Sequence, residues 1–100
     1  MRDRSHDDVM AENFRNDPAY AMELLNEILA DGALDEAMIV LRQMSKAFGG
    51  VDEVARQANL NGKTLYRTLS PTGNPQISTL TAVLRAMGMR LAVQPLQQVA

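Results

Sequence analysis

The sequence contains no cysteine and no tryptophan, and it has a single histidine, His6. The missing cysteines exclude disulfides, thiolate metal sites and a cysteine nucleophile, and they suit a reducing compartment. His6 lies in a polar segment near the start of the chain and makes a poor catalyst or ligand. Aromatic residues make up 4% of the chain. No apolar run approaches the roughly 20 residues that span a bilayer, and no stretch resembles a signal peptide. The cytoplasm is therefore the expected location, with no membrane role. No glycine-rich loop cradles a phosphate. The carboxylate pairs Asp7-Asp8 and Asp52-Glu53 are sequence neighbours, which point different ways on a helix. Without a nucleophile, base and orienting group, the chain is not expected to be an enzyme, nor to hold a metal or other cofactor.

What remains is 100 residues, 46% hydrophobic and 22% charged, with a net charge of −2. That is enough apolar material for one modest core, and the prevalence of Leu, Ala, Met and Val favours helices. The net charge hides an asymmetry. Residues 1–41 carry ten acids against three bases, a net −7, while residues 42–100 carry seven bases against two acids, a net +5. The second part can meet phosphates, whereas the first would be repelled by DNA and suits a basic protein partner.

Periodicity and punctuation predict an all-α fold. A short helix is expected over 7–15, with Met10 and Phe14 on one face. Asp17-Pro18 opens a second helix that ends at Asp31-Gly32. A third should cover about 34–48, with a stripe of Leu34, Met38 and Leu41. Gly49-Gly50 breaks it, and three short helices follow over about 51–58, 62–69 and 78–87, the last two separated by the loop 71–75. Met89, Leu91 and Val93 then alternate with Arg90, Ala92 and Gln94, which predicts one short C-terminal strand. A lone strand needs a partner, so pairing with a second subunit, and hence a homodimer, is expected. We divide the chain into an acidic helical extension, residues 1–32, and a DNA-binding domain with the dimerisation strand, residues 33–100.

Residues 51–70 are the informative stretch. A helix-turn-helix needs a small residue where its two helices touch, and Ala55 is placed for it. The turn needs a residue that tolerates a left-handed backbone, which Asn59 does. Leu60 fills the gap between the helices, Asn61 can cap the second one, and Leu65 points inward. If that second helix enters a major groove, its early residues Asn61, Gly62, Lys63 and Thr64 face the base edges, with Arg67 one turn on. Lys and Arg donate to guanine, Asn can pair with adenine, and Thr can meet base edges or a thymine methyl. Tyr66 lies beside this face with a hydroxyl suited to a phosphate. Ser78 and Thr79 open the next helix, where hydroxyls and free N–H groups suit phosphate, although Ser78 serves equally well as a plain helix cap.

Three segments carry a family likeness: residues 17–32, residues 49–75 and residues 80–93. Within the second, Leu65-Tyr66, Leu69-Ser70-Pro71 and Gly73-Asn74-Pro75 follow in order. Together they resemble the addiction-module antidote proteins, the HigA-like antitoxins of the Xre/Cro-type helix-turn-helix group. The sequence departs from that pattern at Asn59, where a glycine is usual, and at Asn61-Gly62, where a serine usually starts the recognition helix. The resemblance implies an Xre/Cro-like helical bundle. It also implies an antitoxin that neutralises a small basic RelE/ParE-like toxin and represses its own operon by binding an operator in double-stranded DNA as a homodimer. Two other functions fit the residues: a stand-alone Cro-like regulator without a toxin, and a protein-binding adaptor with a degenerate helix-turn-helix.

Overall fold

The structure, a computed structural model, describes residues 5–96 and is helical throughout its regular elements. In chain order these are α1 (His6–Asn16), α2 (Pro18–Asp31), α3 (Leu34–Ala47), α4 (Val51–Ala58), α5 (Gly62–Thr68) and α6 (Ile77–Ala86). Local chemistry sets most boundaries. Ser5 Oγ accepts from the Asp8 N–H at 3.1 Å, and Asp7 and Asp8 place negative charge on the first turn of α1, where the helix dipole favours it. Asp17 accepts from the Tyr20 N–H at 3.1 Å while Pro18 takes the first helical position of α2. Gly32, at φ 76°, closes α2 in the left-handed region.

α3 is the central element. α1 and α2 both pack on it, α1 reaching Lys46 and Ala47 at its C-terminal end, α4 follows from that end, and α4 in turn carries α5 and α6. This placement buries more of α3 than one stripe. Met38 and Leu41 are buried as their spacing predicts, but so are Val40, Gln43 and Ser45. Leu34, expected on that stripe, is instead 62% exposed, because it starts the helix at the α2–α3 turn, short of the level where the core begins. One continuous core joins Phe14, Ala21 and Leu25 of the first two helices to Leu41, Met44, Val54, Leu65, Val83 and Leu84. The boundary drawn between residues 32 and 33 thus falls in a turn, while the apolar side chains on either side of it share this core.

Polar contacts also tie α1 to α3. The Arg42 guanidinium meets Asp7 Oδ2 at 2.9 Å, and Gln43, itself buried, donates to Asp7 Oδ1 at 3.1 Å. Lys46 Nζ meets Asp8 Oδ1 at 3.0 Å. Two of the bases credited to the positive part of the chain are therefore paired with N-terminal carboxylates.

The short strand predicted over Met89–Val93 is absent. Residues 89–96 carry no regular element, and Val93 is fully exposed. The physical reason is the one that made the strand conspicuous: a β-strand is held by hydrogen bonds to a neighbour, and among the described residues this chain provides no second strand. The last helix also starts one residue earlier than expected. α6 begins at Ile77 with Gln76 in the cap position and no side-chain cap bond, so Ser78 lies inside the first turn instead of capping it.

Candidate nucleic-acid interface

α4 and α5 are joined by three residues, Asn59 to Asn61. Asn59 adopts φ 62° and ψ 43°, the one non-glycine residue with positive φ among those described. Its N–H donates to the Arg56 carbonyl at 3.2 Å, and the Leu60 N–H donates to the Ala55 carbonyl at 2.8 Å, so the carbonyls at the end of α4 are satisfied within the turn. Asparagine tolerates this conformation better than other side-chain-bearing residues, which is why the sequence can dispense with glycine here. Asn61 then returns to an extended backbone and caps α5, its Oδ1 accepting from the Thr64 N–H at 3.0 Å. Ala55 and Leu65 are both buried, and Leu60 packs against the core between them.

With Leu65 and Leu69 turned inward, the outer face of α5 is fixed. Lys63, Thr64, Tyr66 and Arg67 are all exposed, Tyr66 at 57%. Neither Lys63 nor Arg67 enters an ion pair among the described residues, so both charges face solvent without compensation. At Gly62 a Cβ would stand 2.5 Å from Asp52 Oδ1, the end of an exposed side chain that can turn away, and 3.9 Å from the Asp52 Cα, so the start of α5 lies beside the first turn of α4 without glycine being required there.

The loop after α5 extends this surface. Thr64, Arg67 and Thr68 together with Ser70, Thr72 and Asn74 line a shallow open groove. Its shape depends on Gly73, whose N–H donates to the Ser70 carbonyl at 2.8 Å. A Cβ at position 73 would sit 1.6 Å from the Thr68 carbonyl oxygen, a distance no packing adjustment of side chains can relieve. Thr68, Ser70, Thr72 and Asn74 were not among the expected site residues. Their signal was present in the run of hydroxyl and amide side chains between two helices, which reads first as turn chemistry. Ser78 is exposed and Thr79 half-buried on the first turn of α6, and neither lines the groove. Asn61, Gly62, Lys63, Thr64, Tyr66 and Arg67 are thus brought together on one short helix and its cap, and the two α6 hydroxyls stand apart from them.

Two further features act on this surface from outside. Arg42 donates to the Leu69 carbonyl at 3.4 Å, a long contact that places a cation at the C-terminal end of α5. On α4, the Arg56 guanidinium and then the Gln57 amide bond to Glu53 and hold its carboxyl below the usual range for glutamate.

A protein-family model described as a probable addiction module antidote protein matches residues 7–95. This chain belongs to that family. The antidote match runs from α1 through α6 and takes in every candidate residue from Asn61 to Thr79. An uncharacterised protein of Haemophilus influenzae is 33% identical over 70 residues, which is 70% of this chain and 71% of that protein. No solved structure matches the antidote chain. Among the described residues, no helix is long and apolar enough to cross a membrane.

Proposed function

We propose that this antidote is the antitoxin of a type II toxin–antitoxin module, a protein that works by binding and catalyses nothing. In this reading it neutralises a small basic RelE/ParE-like toxin in the cytoplasm. It also represses its own operon, as a homodimer, by placing α5 in the major groove of an operator in a HigA-like, Xre/Cro-type helix-turn-helix mode. The family assignment supports the antitoxin role. The observation that carries DNA binding is the outer face of α5, where Lys63, Thr64, Tyr66 and Arg67 stand exposed and the two cations lack partners among the described residues. Lysine and arginine at the start of a recognition helix donate to guanine O6 and N7, while the hydroxyls of the adjoining groove suit backbone phosphates. The exposed alternation of Leu91 and Val93 supports pairing of residues 89–93 with the same segment of a second copy.

The test uses a duplex of the region upstream of the protein's own gene, read by fluorescence anisotropy. Lys63→Ala and Arg67→Ala should each weaken binding by on the order of 1–3 kcal/mol if the residue reads a base. A phosphate contact alone should instead weaken all duplexes evenly and reduce the salt dependence. Unchanged affinity in both variants would remove α5 as the reading element. It would then favour a protein-binding adaptor or another DNA-contacting surface.

A further inference from the structure

We propose that the outer face of α2 is the docking surface for a basic protein partner, an inference that rests on the antitoxin reading for the partner's identity as the toxin. Between Arg15 and Arg42 the sequence contains no lysine or arginine, yet it contains Asp17, Glu23, Glu27, Asp31, Asp35 and Glu36. Among the described residues Asp7 and Asp8 of α1 meet cations on α3 and Glu53 meets Arg56 on α4, whereas Asp35 and Glu36, which open α3 just beyond α2, enter no ion pair. α2 itself carries no lysine or arginine, and its carboxylates enter no ion pair among the described residues.

The second observation is the pattern of exposure. Ala21 and Leu25 are buried against α3, with Leu24 and Ile28 packed beside them, and these four define the inner face. At 100° per residue, Met22 and Leu29 fall together on the outside, two turns apart. They are 45% and 38% exposed. Only Ala19, Asn26 and Ala30 stand between them and the acidic edge formed by Glu23 and Glu27, and all of these are exposed. The face is thus a narrow apolar strip with an anionic border. A solvated helix surface would have mixed charges and needs no paired large apolar residues. A strip of this kind fits a partner that presents aliphatic side chains ringed by lysine or arginine, in which the apolar contact supplies affinity and the charges supply approach and register.

The experiment measures binding of the full-length chain, by calorimetry, to the small basic protein encoded beside its gene. Glu23→Lys/Glu27→Lys and Met22→Ser/Leu29→Ser are the test variants. All four positions are exposed, so circular dichroism melts close to that of the unaltered chain should show both variants folded. We expect each double variant to bind about tenfold more weakly or worse, the charge reversal losing its effect as salt is raised and the serine pair not. If the unaltered chain binds and both variants bind equally well, the α2 surface is refuted while the antitoxin reading stands. If the unaltered chain does not bind at all, both fall. If either variant changes the sedimentation mass of the protein alone, the occupant of this face is a second copy of the chain, and the proposal is overturned in that direction.

Discussion

Replacing Asp7 with alanine tests whether α1 is an integral part of the fold. The Asp7 carboxylate receives both the Arg42 guanidinium, at 2.9 Å, and the Gln43 amide, at 3.1 Å, and Gln43 is 2% exposed. Hydrogen bonds to a charged group contribute about 1.5–3 kcal/mol, and the exchange of a buried amide's partner for intruding water recovers part of this. The Arg42 and Asp7 side chains are 19% and 23% exposed, so their attraction is screened only in part. A net loss of about 2 kcal/mol follows, near the middle of that range and with little added for the ion pair. For a domain of this size each kcal/mol moves the Tm by roughly 4–8 °C, so the melting temperature should fall by roughly 8–16 °C. The Asp8–Lys46 pair provides the internal comparison. Its side chains are 53% and 34% exposed, and Asp8→Ala should cost under about 1 kcal/mol. Urea and thermal melts followed by circular dichroism measure both. A Tm drop of less than about 3 °C for Asp7→Ala, or equal losses for the two variants, would refute the reasoning.

Asn59→Gly should be neutral or stabilising by up to about 1 kcal/mol, since glycine takes positive φ without steric cost, while Asn59→Val should destabilise by more than that. Chemical denaturation decides the sign for each. The Glu53 carboxyl is held low by Arg56 and Gln57, so its contribution to α4 is fully present above the unfolded-state pKa of glutamate and is lost as pH falls through the lower folded value. An NMR titration of the carboxyl should place its midpoint below that of an unstructured glutamate, and Arg56→Ala should bring it back up. A midpoint unmoved by Arg56→Ala would show that the guanidinium is not the cause.

The sequence was most legible where a single local interaction sets the structure. Asp17-Pro18 opens α2, Asn59 takes the left-handed turn, and Asn61 caps α5, because each needs only atoms within three or four residues. The inward and outward faces of α5 followed from the position of Leu65. Features that depend on distant partners were not legible. Nothing near Gln43 or Ser45 marks them as buried, since their burial comes from α3 being covered on several sides. The Asp7–Arg42 contact spans 35 residues and has no periodic signature. The C-terminal strand was inferred from alternation alone, and alternation states which face a strand would present without providing a neighbour to hold it. The one-residue shift at α6 came from reading Ser78 as the residue that opens the helix, when Ile77 opens it and Gln76 takes the cap position.

Gly73 has a consequence for genetics. Every codon for glycine begins with two guanines, and every missense change from it introduces a Cβ, which here would overlap the Thr68 carbonyl oxygen. In a saturation library selected for function, position 73 should therefore be closed to all substitutions regardless of their charge or size. Lys63 and Arg67 should instead discriminate among replacements by chemistry. The two profiles give such a screen an internal standard: a row of uniform failure marks geometry, and a graded row marks contact.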